Sequence, residues 1–213
     1  DCKGSGECRF SGSERLSRWD FEFDEVYATG LGSSLNTGDL SGDGVADLSA
    51  ASAPSSSLGM VSVAFDLPNT PTQTLYYHES SYSGFAAHDI GDMSGDGQAD
   101  LAVAADAKGV AYLFEGPLDP LDQYVSQDEA LATLSFSSQG AGEARVLILG
   151  DMDGDGQAEM ALSEGGDKRV TLFSGAWLED DYEEDHTVAR LLGNEGNFGL
   201  ALLASDIDGD GLP

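Results

Sequence analysis

The residues best suited to chemistry in this chain are acids spaced by glycine, and the pattern recurs. Asp39, Ser41, Asp43, Val45 and Asp47 stand at positions 1, 3, 5, 7 and 9 of a first nonapeptide loop. Asp92, Ser94, Asp96, Gln98 and Asp100 repeat the spacing, as do Asp151, Asp153, Asp155, Gln157 and Glu159. A fourth copy holds Asp206, Asp208, Asp210 and Leu212. A hard divalent cation such as Ca²⁺ takes roughly six to eight oxygens at about 2.3–2.6 Å from a chain tight enough to converge on one point. Positions 1, 3 and 5 offer side-chain oxygens, position 7 its backbone carbonyl, and an acid at position 9 up to two more. Glycine fills position 6 each time (Gly44, Gly97, Gly156, Gly211), which suits a sharply turned backbone with positive φ. A polar β-turn would use the same residue types. Four copies with acids kept at positions 1 and 5 favour the metal, with about one Ca²⁺ per loop and up to four in all. Loop three has four carboxylates against three in loops one and two, so it is expected to bind most tightly.

Something must hold such loops. An EF-hand would need an acid at position 12 and a helix after it. Position 12 here is Ala50, Val103 or Leu162, each inside an apolar run with strand character. The loop therefore joins two β-strands. The first aspartates are 53, 59 and 55 residues apart, and a period near 50 is that of a propeller blade with four antiparallel strands. The expected fold is all-β, a β-propeller with three blades and the start of a fourth. Its repeats span about 28–83, 84–140, 141–196 and an incomplete 197–213, after a lead of residues 1–27. Strands are expected at 28–37, 46–52, 59–66 and 73–78, then at 85–90, 99–105, 109–115 and 130–136. In the third repeat they are expected at 143–149, 158–163, 168–174 and 187–192. Phe198 to Ala204 is expected to begin a fourth blade, and Trp19–Phe23 alternates apolar and acidic like a half-buried strand. Residues 119–131 and 176–185 lack a helical stripe and are expected to be outer loops or short turns.

The chain resembles the FG-GAP repeats of the integrin α-chain β-propeller and of bacterial FG-GAP surface proteins, over about residues 28 to 213. Phe198-Gly199 matches the Phe-Gly that opens the family's repeat, and Gly84-Phe85-Ala86 is a near match. Ala141-Gly142-Glu143-Ala144 lacks the aromatic. The family's Gly-Ala-Pro is degenerate in Ser52-Ala53-Pro54 and Ala104-Ala105-Asp106, whereas the strand from Gly109 to Phe114 is well kept. The resemblance implies a calcium-binding propeller module, extracellular or at the cell surface, for adhesion or recognition of a protein or glycan. It also implies a ring of about seven blades. With three and a fraction here, a segment of a longer polypeptide is expected, and an arc completed by a partner chain is the alternative. A propeller that accompanies or contributes to a secreted hydrolase or lectin is the second functional reading.

Composition narrows the classes. Nine basic against 39 acidic residues give a net charge of −30, so no basic patch is available to displace counterions from nucleic acid. Thirteen of the acids lie in the four loops, and four divalent ions would bring −30 to −22. No apolar run approaches the ~20 residues of a membrane-spanning helix. Cys2 and Cys8 close a short ring if paired; a disulfide is the expectation for an exported chain, with two free thiols as the alternative. No enzyme is expected. His78, His88 and His186 fall in different repeats, and no G-x-S-x-G elbow, H-E-x-x-H or phosphate-cradling glycine loop occurs. His88 is expected to be a satisfied core or channel histidine. Asp180-Asp181 and Glu183-Glu184 could imitate a glycosidase pair, but a solvated charge run explains them more simply.

Overall fold

The computed structural model describes residues 2–3, 7–8, 31–52, 60–66, 72–77, 87–105, 110–135, 144–164, 168–175, 187–194, 198–199 and 201–204. Expectations for Trp19–Phe23, for the fourth acidic loop, and for His78 and His186 lie outside these residues. In the lead, two short strands not foreseen from sequence, β1 (Cys2–Lys3) and β2 (Glu7–Cys8), pair antiparallel with Cys2 opposite Cys8.

Three sheets then follow one another along the chain, antiparallel except for one strand that joins the edge of sheet one in parallel. Sheet one holds β3 (Leu31–Gly38), β4 (Asp47–Ser52), β5 (Met60–Phe65) and β6 (Thr72–Tyr77). Sheet two holds β7 (Ala87–Gly91), β8 (Asp100–Ala105), β9 (Val110–Phe114) and β11 (Ala132–Ser135), with β10 (Tyr124–Ser126) in the connection before β11. Sheet three holds β12 (Ala144–Gly150), β13 (Glu159–Glu164), β14 (Arg169–Phe173) and β15 (Thr187–Leu192). All twelve strands expected in the first three repeats are present, with ends displaced by three residues at most. Among the described residues the sheets form an open succession and no closed ring.

The second strand of each sheet explains the stacking. In β8 (DLAVAA) every side chain is buried, because alternate residues face different neighbours. Leu101, Val103 and Ala105 join Val61, Val63, Phe65 and Tyr76 of sheet one. Ala102 and Ala104 join Met160, Leu162 and Phe173 of sheet three. Alanine is a poor strand former in isolation; here its small size lets a sheet be covered on both faces. Each Leu, Val or Phe so buried contributes roughly 1.5–3 kcal/mol. Close approach of the first strands depends on the residue before each loop. A Cβ on Gly38 would lie 2.5 Å from Ile90 Cγ2, and one on Gly91 would lie 2.9 Å from Ile148 Cγ2.

Polar groups tie the stack across sheets. The Asn36 amide donates to the His88 carbonyl at 2.9 Å, and the Ile148 amide donates to Asp89 Oδ2 at 2.7 Å. Two segments differ from expectation. Within 119–131, Tyr124–Ser126 forms a strand that pairs parallel with β6 of sheet one, and Gln127–Glu129 forms a 3₁₀ turn. That strand finds its ladder on a partner about 50 residues away, which no local pattern reveals. The expected strand at Phe198–Ala204 is not seen among the described residues, which are turn, bend and irregular there. Gly199 has a φ of +81°, outside the extended range. A Cβ on Gly199 would meet Ser163 and Val170, so this segment lies against sheet three.

Candidate metal-binding loops

Each acidic loop joins the first strand of a sheet to its second: 39–46 links β3 to β4, 92–99 links β7 to β8, and 151–158 links β12 to β13. The local cause is the alternation of aspartate and glycine. Gly44, Gly97 and Gly156 have φ of +86°, +87° and +96°, the left-handed turn expected of position 6. Their amides point back to position 1: Gly44 donates to Asp39 Oδ2 at 2.8 Å, Gly97 to Asp92 Oδ2 at 2.9 Å, and Gly156 to Asp151 Oδ2 at 3.0 Å. Position 7 donates to position 5 in all three, with Val45 to Asp43 at 2.7 Å and Gln98 to Asp96 and Gln157 to Asp155 at 2.8 Å. Three segments of different sequence thus adopt one backbone.

The acid at position 9 stands at the root of each loop. Asp47, Asp100 and Glu159 are 1%, 0% and 3% exposed, whereas the acids at position 5 are exposed to solvent. Burial raises the pKa of all three, and backbone amides that bond the carboxylates oppose the rise. Asp47 Oδ2 accepts from Leu40 and Ser41 at 2.9 and 3.0 Å. Asp100 Oδ2 accepts from Met93 and Ser94 at 2.8 and 2.9 Å, and its Oδ1 from Gly116 at 2.8 Å. Glu159 Oε2 accepts from Met152 at 2.6 Å.

A cation would complete what these bonds leave over. Ser41 Oγ, Ser94 Oγ, Asp47 Oδ1 and Glu159 Oε1 are buried and have no hydrogen-bond partner. The backbones of Asp66 and Gly175 also contribute hydrogen bonding to Asp47 and Glu159, after Leu40, Ser41 and Met152, and oppose the rise in pKa. Buried oxygens without partners are costly; of the six such side-chain oxygens among the described residues, these four belong to positions 3 and 9, where the sequence places metal ligands, and the other two are Ser163 Oγ and Thr187 Oγ1. In loop three, oxygens of Asp151, Asp153 and Glu159 lie within 4.8 Å of one another. Among the described residues no other group of three acids, histidines or cysteines gathers so closely. Loops one and two carry serine at position 3, so their acids number three instead of four. The donor set is all oxygen and partly anionic, which suits a hard cation.

Sequence reasoning passed over the residue at position 2. Leu40 and Met93 are completely buried in the layers between sheets, and they anchor the loops from below. An apolar residue inside an otherwise polar nonapeptide (Leu40, Met93, Met152, Ile207) was the available signal. Neighbouring loops also touch. The Leu118 amide donates to the Leu40 carbonyl at 2.7 Å, and the Ala158 amide donates to the Met93 carbonyl at 3.3 Å. A cleft of about 470 Å³ opens between loops two and three, lined by Asp92, Asp151, Gly95, Gly156 and Ile148 among others.

His88 is 3% exposed, in agreement with a core role. Its Nε2 lies 2.7 Å from Ser49 Oγ, and that hydroxyl donates to the Asn36 carbonyl at 3.2 Å. With the serine proton spent there, Nε2–H is the donor to Ser49 and Nδ1 is left bare, without a hydrogen-bond partner among the described residues. Burial lowers the His88 pKa to about 4, and a hydrogen bond to the Ser49 backbone opposes the fall. No helix among the described residues is long and apolar enough to cross a membrane. Comparison of the sequence with protein-family models and with curated proteins gives no match.

Proposed function

We propose that this chain is a run of calcium-stabilised β-propeller blades of the FG-GAP type, acting outside the cell in adhesion or recognition of a protein or glycan. The observation that carries the calcium reading is the repeated pairing of an acidic loop with a buried carboxylate at its root. Asp47 Oδ1 and Glu159 Oε1 have no hydrogen-bond partner among the described residues, and an ion in the loop would supply one. Each sheet then corresponds to one blade, with the metal loop between its first and second strands. The ions act structurally, holding together acids that otherwise repel within nine residues. A disulfide between Cys2 and Cys8 belongs to the same reading, because their backbone positions face each other in the lead. The second reading, a propeller serving a secreted hydrolase or lectin, shares the calcium sites and differs only in what the module accompanies.

A ligand that binds only the native state contributes RT ln(1 + [L]/Kd), about 2.7 kcal/mol per site at a hundredfold excess over Kd. For a chain of this size that is about 5–10 °C in Tm per site. Thermal melts in chelator and in millimolar CaCl₂ test the metal. A rise of at least that size is expected, smaller in Asp155→Ala, and identical melting curves would refute it. A glycan array and a pull-down from surface extract, both with and without calcium, test recognition. Binding to neither set in calcium would remove the adhesion reading.

A further inference from the structure

We propose that the three described loops are not equivalent and load in the order three, one, two, because loop two is already closed by the chain's own backbone. The inference rests on the calcium reading above and concerns how that site is regulated. The deciding residue is the acid at position 9. Glu159 has one backbone amide at close hydrogen-bond distance, from Met152, and a weaker contribution from the Gly175 backbone. Asp47 has two at close distance, both on Oδ2, from Leu40 and Ser41, and a weaker third contribution from the Asp66 backbone. Asp100 holds three, the third being the Gly116 amide on Oδ1 at 2.8 Å. Of the three described loops, one and three keep a buried carboxylate oxygen with no group at hydrogen-bond distance among the described residues, Asp47 Oδ1 and Glu159 Oε1, whereas Gly116 is the foremost of the backbone bonds on Asp100. The oxygen that would greet a cation in loop two already carries a hydrogen bond.

Gly116 cannot easily move aside. A Cβ at Gly116 would collide with the Ala99 carbonyl, so the strap runs against loop two itself. Two residues on, Leu118 is buried between sheets one and two, and its amide is bonded to the Leu40 carbonyl at 2.7 Å. The strap Gly116–Leu118 thus fastens the root of loop two to the second residue of loop one. A cation entering loop two must share or displace a hydrogen bond to a charged, fully buried oxygen. That competition weakens it roughly ten- to a hundredfold relative to a loop whose oxygen is free. Loop two is accordingly built without metal, and it fills last.

The test uses the whole chain stripped with chelator. Calcium titration by calorimetry on wild type, Asp43→Ala, Asp96→Ala and Asp155→Ala assigns each binding step to the loop whose variant removes it. We expect Asp155→Ala to remove the tightest step of the three, Asp43→Ala the next, and Asp96→Ala the weakest. Amide hydrogen exchange in chelator supplies an independent readout, and the Gly116 amide is expected to be protected before any calcium is added. Loss of the tightest step in Asp96→Ala, or an unprotected Gly116 amide in chelator, would overturn the ordering. Absence of calcium uptake in every loop, with Gly116 still protected, would instead defeat the calcium reading and take the ordering with it.

Discussion

Acidification offers a sharp test of the packing between sheets one and two, through His88. The imidazole is held neutral, with Nε2–H on Ser49 and a bare Nδ1 without a hydrogen-bond partner among the described residues. Protonating Nδ1 in the folded state would place a charge and an unanswered donor in a buried layer. The folded pKa is about 4 against an ordinary 6.5. The sign follows from linkage: below 6.5 the unfolded chain takes up a proton that the folded chain refuses, so stability falls as pH falls from about 6.5 towards 4. Between pH 7 and pH 5 these two values give a loss of about 2 kcal/mol. Asp47, Asp100 and Glu159 work in the opposite direction. Their pKa values are raised, so without metal the folded state holds protons more tightly than the unfolded one and gains stability as pH falls towards the ordinary carboxylate range. The comparison must therefore be made by difference. Denaturant unfolding of wild type and His88→Gln, both in saturating calcium, should show wild type losing about 2 kcal/mol more than the variant on going from pH 7 to pH 5. Glutamine can still donate to Ser49 but cannot titrate. Equal losses in the two proteins, or a His88 ring proton titrating near its ordinary value in NMR, would refute the argument.

Two further predictions probe the loops and sheet three. Gly95 and Gly97 both have positive φ, +78° and +87°, but a Cβ on Gly95 would collide with the Gly156 carbonyl whereas Gly97 faces open space. Gly97→Ala should therefore cost only the left-handed penalty of about 1–2 kcal/mol, while Gly95→Ala should cost more and separate loops two and three. Comparable costs in chemical denaturation would contradict the loop–loop contact. In sheet three the guanidinium of Arg169 bonds the carboxylate of Glu164, which is 2% exposed, and Thr171 adds a third bond. Arg169→Ala should lose about 2–3 kcal/mol, somewhat below the usual cost of breaking a buried pair because the arginine is partly in solvent. Pairing it with Glu164→Leu should recover most of the loss, and no recovery would show that the charge is held by something else.

The sequence alone determined the elements that depend on near neighbours. Strand positions followed from apolar runs with β character between Gly- and Asp-rich turns, and the turn itself followed from Asp39–Gly44 and its copies. Positive φ at Gly44, Gly97 and Gly156 was legible for the same reason: a hairpin this tight leaves few backbone choices. Position 9 was legible as an acid, but its burial was not. Only tertiary structure decided that Asp100 is closed by Gly116 while Asp47 and Glu159 each keep one oxygen open, that Tyr124–Ser126 becomes a strand on sheet one, and that His88 meets Ser49. Each depends on a hydrogen bond between groups from 16 to 50 or so residues apart, and local spacing encodes donors and acceptors without saying which of them meet.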